Sequence, residues 1–180
     1  MIELHDNHTL MLHKPQDIPT ALTPWEARTL YGLAFEQNVL EFGSLLGYST
    51  VVMAQSAKKV YAVDPHEGYP AADPRPTLVQ FLDNLNRYGV RDRVVPIIGK
   101  GQDIAPMFAP GHFGLVFIDI TRAAGELIDI AHDLAPAVIA VHDFGIQIWD
   151  GATIAVRNYA RRIDRDFRLV DTLAIFERNR

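Results

Sequence analysis

Apolar and polar positions along the chain fall into short blocks that alternate between a strand-like and a helix-like pattern. Asn38-Val39-Leu40-Glu41-Phe42 is a mostly apolar run closed by Gly43 and predicts a buried strand. A helix is predicted over Ser49 to Ala57, then a second strand over Val60 to Val63 that ends at Asp64-Pro65. Thr77 to Tyr88 sets Leu78, Phe81, Leu82 and Leu85 on one helical face and stops at Gly89. Val94 to Ile98 predicts a third strand, and Pro96 points to an edge position because it brings no ladder donor. Phe113 to Ile118 and Ala137 to Val141 predict the fourth and fifth strands, with a helix over Ala123 to Leu134 between them. Ala152, Val156, Tyr159 and Ile163 share one face of a last helix, and Phe167 to Val170 and Leu173 to Phe176 predict two closing strands. Ahead of the first strand, Thr23-Pro24-Trp25-Glu26 has the form of a capping box, opening a helix that carries Ala27, Leu30, Tyr31 and Ala34.

Helix and strand alternate at βα spacing, and the strands are apolar runs with little polar alternation. That predicts an α/β, doubly wound, Rossmann-like and mostly parallel sheet of about seven strands between two helical layers. The last two strands are too close for a helical crossover, so an antiparallel hairpin should close the sheet. Residues 1–180 read as one domain, with an irregular arm over 1–21 that carries Pro15 and Pro19. The composition agrees: 180 residues, 48% hydrophobic and 22% charged, with no run long enough to span a membrane. The N-terminus has neither a basic leader nor an apolar signal core, which predicts a cytoplasmic protein. The absence of cysteine excludes disulfides, zinc–cysteine sites, iron–sulfur clusters and thiol catalysis. A net charge of −5 weighs against broad nucleic-acid or anionic-membrane binding.

Ligands of such sheets bind beyond the carboxyl ends of the strands, so chemistry is sought in the residues just after each one. Gly43-Ser44-Leu45-Leu46-Gly47-Tyr48-Ser49 joins the first strand to a helix and lets a ligand approach bare backbone. Its G-x-x-x-G-x-S spacing is neither the dinucleotide fingerprint nor a P-loop. Asp64, at the tip of the second strand, can accept bonds from both hydroxyls of a ribose and would repel a 2′-phosphate. Asp119 ends the fourth strand and His142-Asp143 the fifth. Three readings of this trio stay open: oxygen and imidazole ligands for a divalent cation such as magnesium, a general base at His142, or groups that satisfy each other and nearby amides.

Taken in order, these stretches resemble class I S-adenosylmethionine-dependent methyltransferases, in particular the compact family similar to small-molecule O-methyltransferases. The resemblance rests on Leu22-Thr23…Glu26 with Leu30-Tyr31, Val39-Leu40-Glu41-Phe42-Gly43-Ser44…Gly47…Ser49-Thr50, and Val60-Tyr61-Ala62-Val63-Asp64-Pro65-His66. It continues through Phe81…Asn84-Leu85…Gly89-Val90…Asp92-Arg93-Val94, Phe117-Ile118-Asp119 and Val141-His142-Asp143-Phe144. The resemblance implies that Glu41, Gly43, Ser44, Gly47 and Ser49 surround the methionine end of S-adenosylmethionine. It implies that Asp64 and His66 hold the ribose, and that the loop Gly99-Lys100-Gly101-Gln102-Asp103 borders the adenine. Asp119 would lie near the methyl group, with Asp119 and His142 as catalytic residues and Asp119, His142 and Asp143 as cation ligands. A small-molecule acceptor and a homodimer are implied as partners.

The chain departs from that pattern in two places. Ile120-Thr121-Arg122-Ala123 stands where relatives often carry Gly-Asp-His, and Ala135-Pro136-Ala137 where they commonly carry Pro-Gly-Gly. The first departure keeps open a cofactor-binding protein without transfer activity; a nicotinamide-dependent oxidoreductase is a further alternative, against which the glycine spacing argues. Among other features, His5, His8 and His13 read as a solvated arm, and His66 to Pro76 as a loop or lid over the site. Arg157, Arg161, Arg162, Arg165 and Arg168 read as a solvated face, Trp25 and Tyr31 as core or interface, and Trp149 as a candidate acceptor-pocket wall.

Overall fold

The structure is a computed structural model that describes residues 12–68 and 75–178. In chain order the elements are α1 (Pro24–Ala34), β1 (Asn38–Phe42), α2 (Tyr48–Ala54), β2 (Lys59–Asp64), α3 (Leu78–Arg87), β3 (Val94–Ile98) and α4 (Gly101–Ile104). They continue with β4 (Leu115–Ile118), α5 (Ala124–Asp133), β5 (Val138–Val141), α6 (Asp150–Ile163), β6 (Arg168–Val170) and β7 (Leu173–Glu177). Seven strands form one sheet in the order β3-β2-β1-β4-β5-β7-β6. All neighbouring pairs from β3 to β5 are parallel, and β7 runs antiparallel to both β5 and β6, which is the predicted closing hairpin. Pro96 indeed lies on an edge strand, β3.

Because side chains alternate across the pleat, each strand feeds two cores. Val39 of β1, Phe117 of β4 and Ala140 of β5 pack with α1, α2 and α3 on one face. Leu40 and Phe42 of β1, Ile118 of β4 and Val141 of β5 pack with α5 and α6 on the other. By this parity Glu41, Asp119 and His142 belong to the face covered by α1 and α2. The predicted capping box at α1 forms in full: the Thr23 side chain accepts from Glu26 N, and Glu26 accepts from Thr23 N.

Several boundaries shift. The fourth strand begins at Leu115, because Phe113 turns into an aromatic cluster with Tyr61 and Phe108. The segment after β3 is not a plain loop: Gly101 opens the short helix α4. Tyr31 is core, whereas Trp25 is 67% exposed. The arginine-rich face of α6 is solvated, with Arg162 paired to Asp129 at 2.7 Å. His5 and His8, and the central part of the proposed lid, lie outside the described residues; His13 is exposed. No helix among the described residues is long and apolar enough to cross a membrane.

Leu127 on α5 is fully buried in the second core. Leu127→Ala should lower unfolding free energy by about 2–5 kcal/mol, read as a fall in the denaturant midpoint at unchanged slope.

Candidate functional site

The chain runs outward from β1 through β2 to β3 and then returns to place β4 on the other side of β1. The connections therefore diverge at the carboxyl ends of β1 and β4, the switch point at which ligands of such sheets generally bind. Gly43, Ser44 and Gly47 form the loop over its β1–β2 side. Gly43 and Gly47 both have φ of 90°, in the left-handed region that favours glycine. At Gly43 a Cβ would lie 2.5 Å from the Asp119 carbonyl oxygen, so β1 and β4 can approach this closely only without a side chain. At Gly47 a Cβ would lie 2.9 Å from the Phe81 ring of α3. Asn84, also on α3, donates to the Leu46 carbonyl at 2.7 Å and holds the loop from behind.

Asp64 ends β2 directly beneath this loop. Its Oδ2 accepts from Leu45 N at 2.9 Å and its Oδ1 from His66 N at 2.6 Å. Each carboxylate oxygen has a second lone pair, so the group can still accept from a ligand. Leu45 and His66 both adopt positive φ to deliver these amides. His66 shares a 2.9 Å hydrogen bond between Nδ1 and Thr77 Oγ1, and its ring lies 4.9 Å from that of Phe81. Burial pushes the His66 pKa down, against the pull of Asp64. Two buried polar atoms beside Asp64, Ser44 Oγ and His66 Nε2, have no hydrogen-bond partner. Buried polar atoms without a partner are rare in folded chains.

Glu41 is completely buried and turned toward α2. Ser49 Oγ and Thr50 Oγ1 each donate to it at 2.5 Å. Ser49 thus spends its hydroxyl on Glu41. Burial raises the Glu41 pKa to about 8; the two hydroxyl bonds oppose the rise, and the charges of Asp119 and Asp64 add to it. Gly101 and Gln102 also have duties of their own. A Cβ at Gly101 would lie 2.7 Å from both Phe42 and Leu127, and Gln102 donates to Glu126 at 3.1 Å.

Beyond β4 and β5 the predicted trio does converge. His142 Nδ1 is 3.1 Å from Asp119 Oδ1 and 3.2 Å from Asp143 Oδ1. Thr121 Oγ1 donates to Asp143 Oδ2 at 3.2 Å. On the other edge of the ring, Nε2 lies 3.4 Å from Glu26 Oε2, an ion-pair contact longer than an ordinary hydrogen bond. Burial would lower the His142 pKa, but the contacts with Asp119 and Glu26 and the charge of Asp143 raise it to about 10. Burial pushes Asp143 up, partly offset by the His142 charge. For Glu26, burial is outweighed by donors from His142, Thr23 and Thr172, which hold it at about 2. Glu26 was legible only as a capping residue; its second role depends on Thr172, 146 positions away, and no local signal announces it. The Trp149 side chain lies outside the described residues.

The ligand atoms of Asp119, His142 and Asp143 lie within 4.8 Å of one another. The two Nδ1–carboxylate separations match the roughly 3.0 Å between adjacent ligands of an octahedral cation bound at about 2.1 Å. Glu26 on the outer nitrogen completes the carboxylate–imidazole arrangement typical of cation-binding histidines. The mixed oxygen and imidazole donor set therefore fits a divalent cation.

Comparison with known proteins gives the family. A family model described as a methyltransferase domain matches residues 40–144, more than half of the chain. The chain belongs to that family. Within it, this methyltransferase domain is similar to a catechol O-methyltransferase of Mycobacterium tuberculosis, at 38% identity over 94 residues, 52% of this chain and 40% of the relative. A catechol O-methyltransferase of Niastella koreensis is 34% identical over 89 residues, 48% of this chain and 38% of the relative. The chain thus spans well under half the length of these curated relatives. Among solved structures, cofactor-bound Rv0187 from MTB superposes with a TM-score of 0.63 at 28% identity, over 78% of this chain and 70% of that one.

The pH dependence of stability follows from the two shifted glutamates and the histidine. Glu41 keeps its proton in the fold to about pH 8, whereas an unfolded glutamate loses it near 4.5. Its contribution is therefore full below pH 4.5 and lost as pH rises to about 8. Calorimetric melts of Glu41→Gln across this window should show a smaller fall in Tm with rising pH than wild type. Parallel curves would show that Glu41 ionises freely.

Proposed function

We propose that the chain is an S-adenosylmethionine-dependent methyltransferase acting on a hydroxyl of a small-molecule acceptor. The observation that carries this reading is the loop Gly43 to Gly47 over Asp64, beside the switch point of β1 and β4. There the glycine loop bends over one carboxylate, Asp64, whose oxygens accept from Leu45 N and His66 N and each keep a lone pair for a ligand. The relatives named as catechol O-methyltransferases support the choice of oxygen as nucleophile.

In this reading the loop Gly43 to Gly47 carries the methionine end, and Asp64, Ser44 and His66 hold the ribose. Gly101 and Gln102 border the base through backbone and outer side-chain surface, since their inner contacts are already spent. Glu41 and Ser49 act from behind, fixing the first turn of α2 against β1. Bound S-adenosylmethionine supplies a sulfonium methyl group open to in-line displacement, so the protein's main task is alignment and exclusion of water.

An acceptor hydroxyl must also lose its proton. With its pKa at about 10, His142 carries protons on both ring nitrogens at neutral pH and acts as a fixed positive charge between Asp119 and Asp143. The carboxylate left to receive a proton is that of Asp119, whose side chain is 29% exposed. A divalent cation held by Asp119, His142 Nδ1 and Asp143 would supply Lewis acidity toward the hydroxyl and displace the Nδ1 proton.

Calorimetric titration with S-adenosylhomocysteine and NAD, with and without magnesium, tests the reading. Tight binding of the former and none of the latter is expected. Asp64→Asn should weaken S-adenosylhomocysteine by about 10- to 100-fold, the loss of charge-assisted bonds. Asp119→Ala should keep that affinity and lower turnover of a catechol by about 100-fold or more. Binding without methylated product across a panel of phenols and alcohols would instead indicate a cofactor-binding protein.

A further inference from the structure

A glutamate at the third position of a capping box needs one bond, to the backbone amide of the cap, and usually makes it in water. Glu26 makes that bond, from Thr23 N at 2.7 Å, yet its side chain has no exposure at all. Burying a carboxylate costs several kcal/mol in order of magnitude unless donors replace its water. The donors come from the far end of the chain. Glu26 Oε1 accepts from Thr172 N at 2.8 Å and from Thr172 Oγ1 at 2.7 Å, in the turn between β6 and β7. The same turn is fastened to β5, where Phe144 N donates to Thr172 O at 2.9 Å. It is fastened to α1 as well, where Thr23 Oγ1 donates to Asp171 Oδ2 at 2.5 Å.

These donors leave the carboxylate little freedom, and its remaining direction is toward His142 Nε2, 3.4 Å away. That nitrogen is buried and has no hydrogen-bond partner. The opposite nitrogen faces Asp119 and Asp143. A cap has no use for this arrangement, but a ring that must keep one nitrogen pointed at a ligand does.

We propose that Glu26 is a positioning residue, whose buried carboxylate holds the Nε2 edge of His142 and so aims Nδ1 at the Asp119–Asp143 carboxylates to receive a divalent cation. The proposal rests on the cation-site reading of these three residues. It adds to it the element that sets the ring, a leading helix clasped by the closing hairpin.

The test uses the full chain and Mn2+ alone as probe, titrated by calorimetry into wild type, Glu26→Gln and Thr172→Val. Glu26→Gln keeps an acceptor oxygen and removes the charge. It should weaken Mn2+ by about 10- to 100-fold, the usual loss for a residue behind a metal-binding histidine. Its 15N spectrum should show the His142 Nε2 resonance shifted, the edge that Glu26 faces. Thr172→Val removes one of the donors that aim Glu26 but leaves its charge; a several-fold weaker Mn2+ affinity is expected. S-adenosylhomocysteine affinity is measured on the same samples and should be unchanged, which separates this proposal from the methyltransferase reading. Mn2+ bound equally by wild type and a folded Glu26→Gln overturns the proposal. If Glu26→Gln does not fold, equal binding by Thr172→Val overturns it. Wild type that binds S-adenosylhomocysteine but no Mn2+ overturns it too.

Discussion

β1 is hydrogen-bonded to β2 on one side and to β4 on the other, and this reversal of strand order governs the site. It sets Asp64 at one shoulder of the Gly43 loop and Asp119 at the other. It also presses the loop so close to the β4 tip that the Asp119 carbonyl takes the space of a side chain at Gly43. The pleat does the rest. Strand parity sends Glu41, Asp119 and His142 to the face of α1 and α2, so groups from three strands share one layer and feel one another's charge.

Two glutamates buried in that layer have opposite fates. Glu41 receives two neutral hydroxyl donors, and burial prevails: its pKa rises to about 8. Glu26 receives two backbone amides, a hydroxyl and a positively charged ring, and falls to about 2. Burial alone predicts neither outcome; the strength of the donors decides. Near neutral pH the layer therefore holds a neutral Glu41 and an ionised Glu26, the latter balancing part of the His142 charge. The His142 contribution to stability is full below pH 6.5 and lost as pH rises to about 10, and that of Glu26 is full above 4.5 and lost as pH falls to about 2. The pair gives its full support between those inner limits.

Much of this was legible in the sequence because the signals were local. Apolar runs closed by Gly43, Asp64, Asp119 and His142 marked the parallel strands and where each one ends. Pro96 marked an edge, and the short spacing before Leu173 marked a hairpin. The signals failed where tertiary contacts override neighbours. Phe113 left its strand for the Tyr61 and Phe108 rings, Ser49 turned to Glu41, and Gly101 proved to be small for the sake of Phe42 and Leu127. Glu26 is the sharpest instance. Three neighbouring residues explained it completely, and the partners that give it a second duty stand more than a hundred positions downstream.

The stretch shared with the methyltransferase-domain family, residues 40–144, contains the Gly43 loop and all three tip residues, but neither Glu26 nor Thr172. The tip residues and the groups packed behind His142 thus lie in separate parts of the chain. Drift in the leading helix or in the terminal ribbon can retune the imidazole without altering any residue of the shared stretch. Grafts that transplant only the shared module would carry the three tip residues and leave behind Glu26 and the turn that braces it.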